Sequence, residues 1–232
     1  MKTLAVLAML AMAASPSLVR PSSGNLRAGG LTISPAGQQL ILDYEVGGGK
    51  PYYVRALQRP TWPEGKSGVT IGVGYDLGYN TRAQIARDWR ELPAGTLARL
   101  QSCAGITGIA AKLKAREVRD ILIPWELALE VYQTRTIPRF AEATRRAYPG
   151  VETLHPSAQG AYLSWVFNRG EGIGSGGRDL EKRLIRRDTP NAMPAVPKHF
   201  LASQRIWVGT SNGVGLCRRR RAEANLIEST LP

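Results

Sequence analysis

The sequence predicts an α+β chain in which a short, glycine-bearing β-hairpin is set among helices, and three observations predict it. Residues 68–78 read GVTIGVGYDLG, where Val69, Ile71 and Val73 alternate with Thr70, Gly72 and Gly74. That is the period of two of a strand with one buried face. Upstream, Ser34 and Pro35 form a helix start, a capping hydroxyl followed by proline at the first helical position. Downstream of Asp76, apolar residues recur at helical spacing to the end of the chain.

The strand places its small residues on one face, with the Thr70 hydroxyl at one end and the Asp76 carboxylate at the other, as the floor of a cleft is built. A glycine-rich hairpin with a solvated Asp at its turn gives the same pattern. The upstream helix carries Leu40, Ile41 and Tyr44 at helical spacing and is stopped by Gly47, Gly48 and Gly49. Glu45 therefore falls in its last turn. There the negative end of the helix dipole and the apolar neighbours disfavour ionisation, which raises the pKa as a general acid requires.

At 232 residues and 43% hydrophobic, the chain suits one domain, with room for two lobes. Its net charge of +13 and pI near 10.3 call for a polyanionic partner. No zinc-finger spacing or RNP-like aromatic motif is present, so the sequence gives no sign of a nucleic-acid reader, and the anionic bacterial envelope is the better reading. Residues 1–14 join Lys2 to an apolar run ending in small residues, the pattern of a secretory signal peptide. The run is too short to span a membrane, so no stable membrane span is expected; an Ala-rich signal-anchor-release segment is the competing reading. Residues 15–30 are rich in Pro, Ser and Gly and read as a flexible linker, leaving 31–232 as the folded domain of an exported monomer.

Residues 51–67 read as an irregular loop whose Tyr52, Tyr53 and Trp62 either stack on sugars or cover a small core. Thr81 or Asn80 caps a helix carrying Ile85 and Trp89. Shorter helical pieces follow from Thr96 to Lys114, then a longer one after Pro124. A helix from Ser157 to Asn168 forms a lobe centre. GEGIGSGG at 170–177 lacks the Lys-Ser/Thr ending of a phosphate loop and reads as a turn. Cys103 and Cys217, the two cysteines of an exported chain, invite a disulfide, and no metal-ligand spacing or cofactor motif is present.

Taken together, Glu at the end of a first helix, the T-I-G-x-G strand, the segment with Phe167, Asn168 and Gly170, and a last helix with Gly215, Leu216, Arg219, Arg220, Glu223 and Leu226 resemble the phage-type lysozyme superfamily of muramidases. The resemblance spans roughly residues 34 to 228. Phage lysozymes place the second carboxylate before the strand, where this chain offers Glu64 alone. The order Glu45, Thr70, Asp76 is similar instead to pesticin-like bacteriocins. The resemblance implies a lysozyme-like fold, with a small N-terminal lobe bearing the hairpin, a larger all-helical C-terminal lobe and an active-site cleft between them.

It further implies hydrolysis of the β-1,4 bond from N-acetylmuramic acid to N-acetylglucosamine in bacterial peptidoglycan. Glu45 would be the acid, Asp76 the second carboxylate and Thr70 the group that orients water. Glu64 is the reserve carboxylate and is grouped with Arg219 and Arg220 on the substrate-binding side; one of these arginines packs toward Glu45. No metal or organic cofactor is implied. A lytic transglycosylase working with Glu45 alone, and a non-catalytic wall-binding module, are the alternatives.

Overall fold

The computed structural model describes residues 24–47, 49–189, 191–211 and 213–232. The signal-peptide segment 1–14 and most of the linker lie outside the described residues. In chain order come strands β1 (Leu26–Ala28) and β2 (Leu31–Ile33) and helix α1 (Pro35–Glu45). They are followed by α2 (Gly49–Tyr52), β3 (Thr70–Ile71), β4 (Tyr75–Asp76), α3 (Arg82–Asp88), α4 (Ala94–Gln101), α5 (Ile109–Glu117) and α6 (Trp125–Val131). The chain ends with α7 (Ile137–Ala147), α8 (Pro156–Arg169), α9 (Leu180–Asp188), α10 (Val196–Ala202) and α11 (Gly213–Glu228). The α+β expectation holds in its coarse form, two small antiparallel strand pairs in a mostly helical chain.

The chain divides into two compact units. One comprises the residues up to Gly47 together with Pro138–Pro232; the other is the insert Gly48–Ile137. This differs from a β-bearing N-terminal lobe followed by an all-helical one, because each unit holds one strand pair among helices.

In the discontinuous unit, β1 pairs antiparallel with β2, Leu26 opposite Ile33 and Ala28 opposite Leu31. The end of the expected linker is therefore a hairpin. Gly29 and Gly30 turn it with positive φ of 53° and 79°, which glycine adopts without a Cβ penalty, and Leu31 and Ile33 are buried. The start of α1 is built as expected. The Ser34 hydroxyl accepts from the Gly37 N–H at 3.1 Å, and Pro35 opens the helix. Helix α8 is buried from Ser157 to Phe167 and packs on both α1 and α11. Where α1 meets α8 the two backbones nearly touch, since a Cβ on Gly160 would lie 2.6 Å from the Gly37 Cα. That close approach lies near the start of both helices.

In the insert unit, residues 51–57 are helical rather than loop. Pro51 sits in the short α2, where proline's fixed φ is tolerated, and a π-helical turn runs from Tyr53 to Leu57. Tyr53 is core, packed on Trp125 and donating its hydroxyl hydrogen to the Ile123 carbonyl at 3.0 Å. Helix α3 starts with a reciprocal capping box between Thr81 and Gln84, and Ile85 and Trp89 are fully buried. Among the described residues, no helix is long and apolar enough to cross a membrane.

Candidate functional site

Glu45 closes α1, and its side chain is 7% exposed. Arg219 Nη1 on α11 donates to Glu45 Oε1 at 2.8 Å, so of the two arginines it is Arg219 that packs against Glu45. Glu45 Oε2 accepts no hydrogen bond among the described residues. Burial raises the Glu45 pKa, and the adjacent Arg219 guanidinium opposes this without cancelling it.

Arg219 is held from behind. Its Nε donates to the Ser164 hydroxyl at 3.1 Å and lies 3.3 Å from Glu223 Oε1, and its Nη2 donates to the Ser164 carbonyl at 3.0 Å. Ser164 in turn donates to Glu223 Oε1 at 2.6 Å. Arg220 is fully buried, donates to Glu223 Oε1 at 2.8 Å and rests on the Trp165 ring with its guanidinium carbon 4.6 Å from the ring centre. Burial pushes the Arg220 pKa down to about 10. Two arginines thus face two carboxylates in a nearly dry cluster, and the charges balance. Arg220, read from the sequence as substrate-binding, has no surface to offer a substrate, and Arg219 is 3% exposed. Both belong to the support of Glu45.

Glu223 and Ser164 were not singled out as site residues from the sequence. Glu223 carried a readable signal, because it stands four and three residues after Arg219 and Arg220, the spacing at which helical side chains meet. Ser164 carried none, since its contact comes from packing α8 against α11.

Thr70 and Asp76 belong to the insert unit, where β3 and β4 pair with Thr70 opposite Asp76 and Ile71 opposite Tyr75. The glycines of this stretch are not strand residues on a cleft floor. Gly72 and Gly74 form the turn with φ of 58° and 72°, and Asp76 sits past it. Because Leu77 N–H donates to the Val69 carbonyl, the neighbouring Thr70/Asp76 rung is the one without its own backbone bonds. On such a rung the two side chains share a face with Cβ atoms about 4.5 to 5.5 Å apart.

Asp76 is only partly exposed, and backbone donors engage both of its oxygens. Its Oδ2 accepts from Gly68 N–H at 2.9 Å and its Oδ1 from Gly78 N–H at 2.8 Å. Burial raises its pKa, opposed by those backbone donors. Thr70 is buried, and among the described residues nothing hydrogen-bonds its hydroxyl. Glu64, the reserve carboxylate, is exposed in a loop of the same unit, with a positive φ of 74°.

The two cysteines are free thiols, not a disulfide. Each contacts a carbonyl of its own unit, Cys103 that of Arg99 and Cys217 that of Gln204. Among the described residues no three His, Cys, Asp or Glu side chains gather as metal ligands.

A family model for a domain of unknown function, DUF8812, matches residues 38–139, fewer than half of the chain. The matched stretch includes Glu45, Thr70 and Asp76 and the whole insert unit, and it stops before α11. No curated protein matches the chain.

Proposed function

We propose that this protein is a peptidoglycan hydrolase, a muramidase of lysozyme-like fold that acts on the bacterial wall after export. The observation that supports it most is the state of Glu45. It is a carboxyl at a helix end, nearly dry and with a raised pKa, held on one oxygen by Arg219 while the other has no partner among the described residues. Such a group is suited to delivering a proton to a glycosidic oxygen. In this reading Glu45 is the acid, Asp76 the second carboxylate and Thr70 the hydroxyl that orients water. The net charge of +13 raises the encounter rate with an anionic wall, an effect that added salt weakens.

A second reading, a lytic transglycosylase, is favoured by one observation. Both Asp76 oxygens are engaged by backbone N–H groups, as suits a carboxylate that shapes the hairpin while Glu45 works alone.

Turbidity loss of purified wall suspensions, followed by mass spectrometry of the released sugars, tests both. Hydrolysis yields a reducing muramic acid end, whereas transglycosylation yields an anhydro end lighter by one water. Glu45→Gln is the control and should retain less than about a hundredth of the activity, because general acid catalysis is worth roughly that factor or more. No lysis by the wild type would refute both readings in favour of a wall-binding module.

A further inference from the structure

Helix α5 presents its large apolar side chains to solvent. Ile109 is 69% exposed and Leu113 is 56% exposed, one turn apart, while the opposite face is made of Ala111, Ala115 and, just past the helix end, Val118, all buried. At helical spacing Ile109, Leu113 and Arg116 form one outward line, with Lys112 beside it. The helix is anchored at its start. Gly108 N–H donates to the Ser67 carbonyl at 2.9 Å, and Gly68 bridges to Thr107. The anchoring loop adds a partly exposed Trp62, whose Nε1 donates to the Ser67 carbonyl, and the exposed Lys66. Lys112 Nζ lies 5.6 Å from the centre of the Trp62 ring. Of the acidic groups nearby, Glu117 is paired with Lys114 at 2.6 Å and Glu64 is exposed in the loop.

We infer that this face of α5 docks on an anionic lipid surface. An exposed aliphatic pair, an interfacial tryptophan and a fringe of lysine and arginine are what an in-plane amphipathic helix uses: apolar groups enter the headgroup boundary and cations meet the lipid phosphates. The cationic fringe selects this occupant over a second copy of the chain, because two such faces would set Lys112 and Arg116 against their own kind. The inference does not depend on the proposed wall chemistry, since no residue of that site lies on α5.

The test is co-sedimentation of the full chain with vesicles of phosphatidylglycerol and phosphatidylcholine, compared with phosphatidylcholine alone. Wild type should bind the anionic vesicles, and added salt should weaken binding. Ile109→Ser combined with Leu113→Ser should weaken it at least about tenfold through the lost apolar burial. Lys112→Glu combined with Arg116→Glu should weaken it by roughly fivefold or more for each cation. All four positions are exposed or unpaired in the fold, so both variants should keep the wild-type circular dichroism and wall-lysis activity. Binding by the Ile109/Leu113 variant equal to wild type would overturn the inference. So would equal binding to neutral vesicles, or a wild-type dimer that this variant dissolves without any vesicle binding.

Discussion

Arg219 Nη1 donates to Glu45 Oε1 at 2.8 Å between side chains that are 3% and 7% exposed. The pair is nearly dry, and burial still holds the Glu45 pKa above its ordinary value of 4.5. The sign of the pH dependence follows. Between 4.5 and the raised value the native state keeps a proton that the unfolded chain has released, so stability falls as pH rises through that window. Glu45→Gln lacks this titration. Denaturant unfolding of both proteins at a series of pH values should therefore show the variant gaining on wild type as pH increases from about 4.5. A variant that loses ground to wild type as pH rises would mean instead that Arg219 holds Glu45 below its ordinary value. Activity should fall along its alkaline limb through the same raised pKa, because the acid must be protonated.

Asp76 and Glu64 compete for the role of second carboxylate. Asp76→Asn should be severely impaired in wall lysis and Glu64→Gln nearly normal, since Glu64 is exposed in a loop and Asp76 is fixed on a rung opposite Thr70. The amide also has a structural effect. One of its ends would place NH₂ against the N–H of Gly68 or Gly78, costing about 1 to 3 kcal/mol. A melting curve must accompany the assay. Impairment of a variant that remains folded at the assay temperature assigns chemistry to Asp76, and the opposite ranking of the two mutants moves the role to Glu64.

The position of Glu45 was legible because its helix is punctuated locally at both ends, by Ser34 and Pro35 and by the glycines after it. The pairing with Arg219 was legible through the resemblance of the last helix. The period of two locates the hairpin but not its turn, since it counts side-chain size and is blind to φ; it places Gly72 and Gly74 in a strand, although they turn the chain. The β1–β2 hairpin was hidden in a linker-like composition, although Leu26, Ala28, Leu31 and Ile33 alternate around Gly29 and Gly30. The insertion of residues 48–137 into the other unit is a matter of long-range packing that no local pattern encodes.

The free thiols give a direct chemical prediction. Cys217 is partly exposed, whereas Cys103 is fully buried and burial raises its pKa, so the reactive thiolate is both scarce and shielded. Thiol titration of native protein should show one group reacting readily, and denaturation should release the second. Denatured exported protein with no titratable thiol would establish the bridge that the sequence invites and the structure lacks.

The hairpin's dependence on a missing side chain supplies the last prediction. A Cβ on Gly68 would lie 2.3 Å from Asp76 Oδ1 and 2.6 Å from the Gly78 backbone. The carboxylate can shift, but the Gly78 backbone is hemmed in by the Ile106 carbonyl, so the methyl strains both Asp76 with its two backbone bonds and the close Gly68–Gly78 approach. Gly68→Ala should cost about 1 to 3 kcal/mol as an overpacked site. It should also depress wall lysis more than stability accounts for if Asp76 acts on substrate. Gly95→Ala is the matched control, because Gly95 lies in α4 with nothing within 4 Å of an added Cβ and should gain about 0.5 to 1 kcal/mol. Lysis by Gly68→Ala that tracks its stability loss alone, measured below the melting temperatures of both variants, would leave Asp76 as a clamp of the hairpin and Glu45 as the sole carboxyl in the chemistry.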